Sequence, residues 1–494
     1  MRFEVTLTAE ADSISSQHLL QHYQQEKTIP QEDLCFALWR PSTGEKRRTA
    51  LIDEIILPEE GERLLHGNAS FQPDYLARAL KIAREKGTGL AFMHSHLTPG
   101  WQGMSSADVE AERDVLAYPA GATGLPLLGL TIGTDGYWSA RSWERDGAKM
   151  RRNWCEKIRV IDPQSYKVYF NDRIAPVPRR RRVLTRTYDT WGQETQNTIS
   201  RLRVGIVGLG SVGCIVAETM ARIGITQVTL IDPDRVEEHN LDRLIYATAK
   251  DIGELKVDLA ARAMKHNATA EGFQVIALPV SVHHRAGYKA ALDCDILFSC
   301  VDRPVPRDVL NYIANAHLIP VIDGGVAVET NEQEGNHFFS AHWRAHIVTP
   351  YHQCLRCNRQ YNSSTVIMEL DGSLDDPSYV RNLPADERTG NQNVFPFCLG
   401  VAGTEVNLML RYLLAPEWWP RVQQLEHQFV TGETRAGNFE CHVNCSFRER
   451  RAQGDTVEPF YLTEDPPVPR RRTMWQRLLK FFDIGYLKRK YQDL

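Results

Sequence analysis

The feature that most constrains this chain is a glycine turn set between a buried strand and a helix. Val204-Gly205-Ile206-Val207 leads into Gly208-Leu209-Gly210-Ser211-Val212-Gly213, and a helical stretch follows from Ser211 to Ile223. Glycines in that place let the backbone approach a phosphate at a helix N-terminus. A second apolar run, Val228 to Ile231, ends at Asp232, where an acid commonly accepts ribose hydroxyls. Further apolar runs at Ile296-Leu297-Phe298 and Ile319-Pro320-Val321-Ile322 alternate with helical segments. This alternation predicts a doubly wound α/β parallel sheet that binds a nucleotide, without choosing between NAD and ATP.

At 494 residues the chain exceeds one ordinary core, so two domains are expected. Hydrophobic residues at 42% and charged residues at 24% are typical of globular proteins. The formal net charge of -4 gives no general field for nucleic acid. No apolar stretch reads as the ~20 residues that cross a bilayer, and the N-terminus lacks a signal-like apolar run. We therefore expect a cytoplasmic protein with neither membrane nor nucleic-acid partners. Its ten cysteines are too sparse for a disulfide framework, so their spacing matters more than their number.

Residues 1–160 read as a small α+β domain. Short β-like runs (Phe3–Leu7, Cys35–Trp39, Ala50–Leu57, Gly89–Met93, Pro126–Ile132) surround a helix from Tyr75 to Lys86. Residues 161–200, with Pro176, Pro178 and Arg179-Arg180-Arg181-Arg182, read as a linker and arm. Residues 201–460 form the nucleotide domain, and 461–494 a basic tail. That tail turns amphipathic through Trp475, Leu478 and Phe481, which predicts a docked helix.

Beyond the glycine turn comes Asp232-Pro233-Asp234-Arg235-Val236-Glu237-Glu238-His239-Asn240-Leu241-Asp242-Arg243, then Lys256 and Asp302. This order resembles the ubiquitin-activating enzymes and their bacterial ThiF-like, sulfur-carrier-activating relatives. His239, Asp242 and Leu244 depart from the family's serine, second asparagine and glutamine. The resemblance implies ATP, and a C-terminal glycine carboxylate that attacks the α-phosphorus and expels pyrophosphate. By the same resemblance Gly208, Gly210, Gly213, Asp232, Asp234 and Asn240 hold the nucleotide. Arg243 and Lys256 screen its charge, and Asp302 holds Mg²⁺. Arg186 matches the arginine that reaches the ATP of the opposite subunit, which implies a homodimer.

Cys354-Leu355-Arg356-Cys357 and Cys441-His442-Val443-Asn444-Cys445 are two halves suited to a tetrahedral, structural Zn²⁺ site closed by four thiolates. Cys398 lies where thioester-forming relatives place their nucleophile. It would either accept the acyl group or pack the core among apolar neighbours.

In the first domain, His94-Ser95-His96 ends a strand and Ser105-Ser106-Ala107-Asp108 begins a helix. Residues two apart on a strand share a face, so His94 and His96 can bind one Zn²⁺ with Asp108 as third ligand and an open fourth position. The pattern resembles the JAB/MPN zinc isopeptidases, although the eight residues between His96 and Ser105 are one more than that family's usual gap. The resemblance implies a glutamate base, for which Glu32 is the first candidate and Asp33 and Glu54 the alternatives. Ser105 would donate to the oxyanion. Ser105 to Asp108 also has the form of a helix cap.

Both resemblances concern ubiquitin-like or sulfur-carrier proteins with a C-terminal glycine. They imply an adenylating domain fused to a peptidase of the same substrate class, and an E2-like protein as a further partner. Sulfur transfer for cofactor synthesis and a non-enzymatic adaptor are the rival expectations.

Overall fold

The computed structural model describes residues 1–23, 31–66, 68–331, 337–375, 393–416, 418–459 and 461–464. The expected tail helix falls outside these residues.

The first domain is built on a nine-stranded mixed sheet. Its strands are β1 (Arg2–Thr8), β2 (Leu34–Thr43), β3 (Arg47–Ile56), β6 (Gly89–Ser95), β7 (Leu127–Ile132), β8 (Trp138–Asp146), β9 (Lys149–Trp154), β10 (Lys157–Ile161) and β11 (Tyr166–Phe170), while β4 (Arg63–His66) and β5 (Asn68–Phe71) form a separate hairpin. The spatial order is β11-β10-β1-β3-β2-β6-β7-β8-β9. Period-2 alternation splits each strand between two layers. Val5, Leu7, Ala37 and Met93 pack with Ala11, Leu19 and Leu20 of the helix Ala9–Leu20. Phe36, Leu38 and Phe92 face the other way, onto Tyr75, Ala79 and Ala83 of the helix Pro73–Glu85. That helix starts with proline in its first turn and buries residues at i, i+4 and i+8.

The second domain contains an eight-stranded sheet in the order β14-β13-β12-β15-β16-β17-β18-β19. Strands β12 (Arg203–Val207), β13 (Gln227–Ile231), β14 (Gln274–Leu278), β15 (Ile296–Ser299) and β16 (Val321–Asn331) are parallel. Strands β17 (His337–Val348), β18 (Gln424–Gln428) and β19 (Glu433–Gly437) extend it in antiparallel fashion. The order reverses at β12, between β13 and β15, which opens a crevice beyond the carboxyl ends of those strands. The glycine turn sits there.

Three expectations need correction. Strand β11 lies inside the expected linker but pairs with β10, so the first sheet runs to Phe170. The run expected from Ile319 becomes a strand only at Val321. Finally, the helix Phe395–Leu414 is long and apolar enough, by length and composition, to cross a bilayer. Here it packs through Ala402, Val406, Leu408 and Met409 into the core of the second domain.

The two domains share one core. Leu51, Ile161, Tyr166 and Phe170 of the first sheet pack with Ile199, Leu202 and Ile206 of the second domain. Beside this apolar contact lies a buried ionic cluster. Arg47 reaches both Glu4 (3.2 Å) and Asp295 (2.7 Å), Arg203 reaches Glu4 (2.6 Å), and Lys157 pairs with Asp295. Arg47, Lys157, Glu4 and Asp295 are essentially without solvent exposure.

Candidate active sites

In the first domain the sequence places two histidines at the carboxyl end of β6, and the fold brings the acid to them. His94 Nε2 and His96 Nε2 lie 3.2 Å apart. Asp108, on the helix Ser106–Glu110, puts Oδ1 3.6 Å from the first and Oδ2 3.3 Å from the second. Two imidazole nitrogens and a carboxylate oxygen within 4.8 Å of one another are a donor set suited to zinc, three ligands where tetrahedral zinc takes four. The expected helix cap is present too. Ser105 Oγ accepts from the Asp108 N–H (3.1 Å), and the Ser105 N–H donates to Asp108 Oδ2 (2.7 Å). The two readings are compatible: the cap holds the carboxylate toward the histidines, and the Ser105 hydroxyl, which also bonds the Asp108 carboxylate, carries a proton it can donate.

Among the three candidate bases, position and partners separate Glu32 from the rest. Glu32 is half-buried, and burial pushes its carboxyl up, opposed by His96 and reinforced by Asp108, so it shares the field of both candidate ligands. Asp33 is fully buried. Despite that burial, contacts from His18 and Arg63 hold its carboxyl down at about 2. Glu54 pairs with Lys86 and stands opposite Leu38, whereas His94 stands opposite Leu34 at the far end of β2.

Beside the ligand nitrogen of His94 is a polar cluster that no sequence motif announced. Thr131, its partner across β7, places Oγ1 3.5 Å from His94 Nε2 and accepts from Arg141 Nη1 at 2.5 Å. Arg141 and Trp143 both donate to the buried Glu112, which lies on a π-turn, Ala111–Leu116. Burial, reinforced by the Arg141 cation, holds His94 well below the ordinary imidazole range, so the ring stays neutral as a metal ligand requires. Strand pairing was the missing signal, since Thr131 and Arg141 are far from His94 in sequence.

In the second domain the glycine turn is fixed by sterics. Gly208 adopts φ +87°, and a Cβ there would meet Cys300 O at 2.4 Å; a Cβ at Gly213 would meet Gly208 O at 1.9 Å. Gly210 meets nothing within 4 Å, so its backbone faces open space at the N-terminus of the helix Ser211–Arg222. Asp232 follows β13 directly, with Oδ2 accepting from the Leu209 N–H (2.5 Å) and Oδ1 from the Asp234 N–H (2.7 Å). Each oxygen retains a lone pair for a ligand hydroxyl.

Lys256 Nζ donates to Asp234 Oδ2 at 2.8 Å. Although burial opposes it, the charges of Asp232, Asp234 and Asp302 raise the Lys256 ammonium, so it is cationic. The exposed Asp302 lies just past β15, close enough to act on Lys256. Arg243 is held by the His239 carbonyl and by Asp242 Oδ1 at 2.7 Å. Asn240 is buried, and its side-chain oxygen accepts from the Glu237 N–H at 3.1 Å, so it braces the turn that carries Arg243. Arg186 is exposed on the helix Thr185–Trp191, and no described contact joins it to the glycine turn.

The four cysteines Cys354, Cys357, Cys441 and Cys445 converge within 4.8 Å, a donor set that fits a closed tetrahedral zinc site. Cys398 lies elsewhere, in the first turn of the helix Phe395–Leu414, with Sγ donating to Ser211 Oγ at 3.2 Å. It is fully buried, and burial pushes its thiol up despite the Ser211 contact and the Arg243 charge. Of the two expectations for Cys398, this burial speaks for packing.

The ThiF family profile matches residues 184–444. The chain belongs to the ThiF family. Among curated proteins this ThiF member is similar to the molybdopterin-synthase adenylyltransferase of Escherichia coli (strain K12), 31% identical over 146 residues, which cover 29% of this chain and 56% of that one. It is also similar to ubiquitin-like modifier-activating enzyme 5 of Drosophila willistoni, 31% identical over 137 residues, covering 25% and 33%. A third relative is the adenylyltransferase and sulfurtransferase UBA4 of Meyerozyma guilliermondii, 25% identical over 130 residues, covering 26% and 30%. The chain thus spans between 30% and 56% of these relatives' lengths. Among solved structures, E. coli MccB with MccA-N7isoASN aligns at 18% identity and a TM-score of 0.40, over 55% of this chain and 75% of that one.

Proposed function

We propose that this ThiF-family chain uses ATP and Mg²⁺ to adenylate the C-terminal carboxylate of a ubiquitin-like or sulfur-carrier protein. Its first domain, on this reading, is a JAB/MPN-type zinc peptidase for precursors or conjugates of the same class. The observation that carries the first half is the crevice at the reversal of strand order. There the bare backbone of Gly210, the acids Asp232 and Asp302 and the cation Lys256 stand together, and the charge of Arg243 reaches Cys398, which contacts Ser211 in the first turn of the same helix. Lys256 and Arg243 would balance the charge of triphosphate and acyl group as pyrophosphate leaves, Asp232 would accept the ribose hydroxyls, and Asp302 would hold Mg²⁺.

The second half is carried by the meeting of His94, His96 and Asp108. Zinc, when held there, supplies Lewis acidity for hydrolysis. Glu32 would take the proton of the attacking water and pass it to the leaving amine, and Ser105 would donate to the oxyanion. A cytoplasmic homodimer, with Arg186 crossing to the partner subunit, and an E2-like acceptor complete the proposal. The buried Cys398 thiol favours passing the adenylate onward without a thioester on this chain, as sulfur-carrier activation would require.

The test is ATP–pyrophosphate exchange with a carrier protein, comparing the native chain with Asp302→Ala. Carrier-dependent exchange that disappears in the variant supports adenylation. No exchange with an intact carrier would leave the adaptor reading.

A further inference from the structure

The loop from Leu97 to Met104, which carries the extra residue noted above, is folded around one side chain. Gln102 is only 5% exposed. Its Nε2 donates to the carbonyls of Thr98 (2.8 Å), Pro99 (3.1 Å) and Gly100 (2.8 Å). Its Oε1 accepts from Thr98 Oγ1 (2.8 Å) and lies 3.3 Å from His96 Nδ1. Three carbonyls around one end of the amide fix that end as the NH2 group, since an oxygen there would face three acceptors. A side chain on Gly133 would crowd this arrangement, with a Cβ 2.9 Å from Gln102 Nε2.

The orientation of the amide has a consequence for the histidine. An oxygen facing Nδ1 needs the ring proton there, and a neutral imidazole protonated on Nδ1 carries its lone pair on Nε2. Nε2 is the nitrogen that meets His94 Nε2 and Asp108 Oδ2. We infer that Gln102 is a positioning residue that selects the metal-ligating tautomer of His96 and fixes the plane of its ring. This inference rests on the metal reading of the first domain. In many metal sites the hydrogen bond made by a ligand histidine's other nitrogen sets the same choice, and its loss weakens metal binding.

The experiment uses the full chain loaded with Co²⁺, which reports the two candidate metal sites separately. Four thiolates give intense sulfur-to-cobalt charge-transfer bands, whereas two histidines and a carboxylate give only weak d–d bands. Competition with a chelator then gives the affinity of the first-domain site for the native chain, Gln102→Ala and Gln102→Glu. Gln102→Ala should weaken that site by about 10- to 100-fold. Gln102→Glu keeps an acceptor for His96 Nδ1 but has no hydrogens for the three carbonyls, so it should recover most of the lost affinity. Equal losses in both variants would reduce Gln102 to a brace for its loop and overturn the inference. A native chain with only the thiolate bands, unchanged by His94→Ala, would instead overturn the metal reading beneath it.

Discussion

Asp242 Oδ1 sits 2.7 Å from Arg243 Nη1, at a position where the resemblance to ubiquitin-activating enzymes places an asparagine. The cation expected to screen phosphate is therefore already paired with a carboxylate on its own turn. Asp242 is largely exposed, and such pairs are worth ~0–1 kcal/mol. Asp242→Asn should lower the KM for ATP in pyrophosphate exchange, by up to about fivefold. An unchanged or higher KM would show that the carboxylate orients Arg243 rather than restrains it.

The glycines of the turn should divide by role. Gly213→Ala puts a methyl group 1.9 Å from Gly208 O, so it should lower the melting temperature and destabilise the domain by about 1–3 kcal/mol. Gly210→Ala meets no protein atom and should shift stability by less than about 0.5 kcal/mol. Its methyl group would nonetheless occupy the space over the helix N-terminus, raising the KM for ATP by about tenfold or more, equivalent to ~1.4 kcal/mol. Calorimetry and exchange kinetics on both variants check the contrast.

Two cysteine variants should behave oppositely. Cys445→Ser removes one of four converging thiols, so it should release one zinc equivalent per chain and lower the melting temperature. Cys398→Ser keeps a hydroxyl near Ser211 and should retain both zinc content and carrier-dependent exchange, since exchange reports adenylation alone. Loss of exchange in Cys398→Ser would contradict the part given to that residue.

Acid should weaken the joint between the domains. Burial raises the Glu4 carboxyl, but the cations Lys157, Arg47 and Arg203 outweigh it and hold the group down at about 2. Asp295 is held below the ordinary carboxylate range by Lys157, Arg47 and Arg159 against the same burial. A carboxylate depressed on folding contributes stability that is complete above its unfolded value, about 4.3 for glutamate, and is lost as pH falls toward 2. Glu4→Gln leaves buried cations underpaired and should cost about 3–5 kcal/mol at pH 7. Urea titrations from pH 7 to 3 should show native stability falling more steeply below pH ~4 than that of Glu4→Gln.

Four of the five parallel strands of the second sheet were legible because they are apolar runs around a glycine turn, whereas β14, a half-exposed edge strand, was not read. The antiparallel extension was not: β18 and β19 read Gln-Leu-Glu-His-Gln and Glu-Thr-Arg-Ala-Gly, with little apolar content. The helix Ala9–Leu20 escaped for a related reason, since its buried positions include Ser15 and Ala11 among polar neighbours. In the first-domain site, His94, His96 and Asp108 were readable from spacing, whereas Arg141 and Glu112 were not, because two buried charges look like any surface pair until their strands are aligned. Arg47, Lys157, Glu4 and Asp295 hid in the same way. A charged residue in a sequence predicts exposure, and only an opposite charge brought to it by the fold makes its burial tolerable.

That ionic cluster also decides how this protein can be dissected. A fragment ending after β11 would keep Arg47, Lys157 and Arg159 on one sheet face, with Glu4 and Glu156 but without Asp295. The complementary fragment would present Asp295 and Arg203 beside the exposed ends of β12 and β15, stripped of their apolar cover. Neither piece is a faithful stand-in for its half of the intact chain, and a loss of activity on truncation would measure the wound rather than the division of labour.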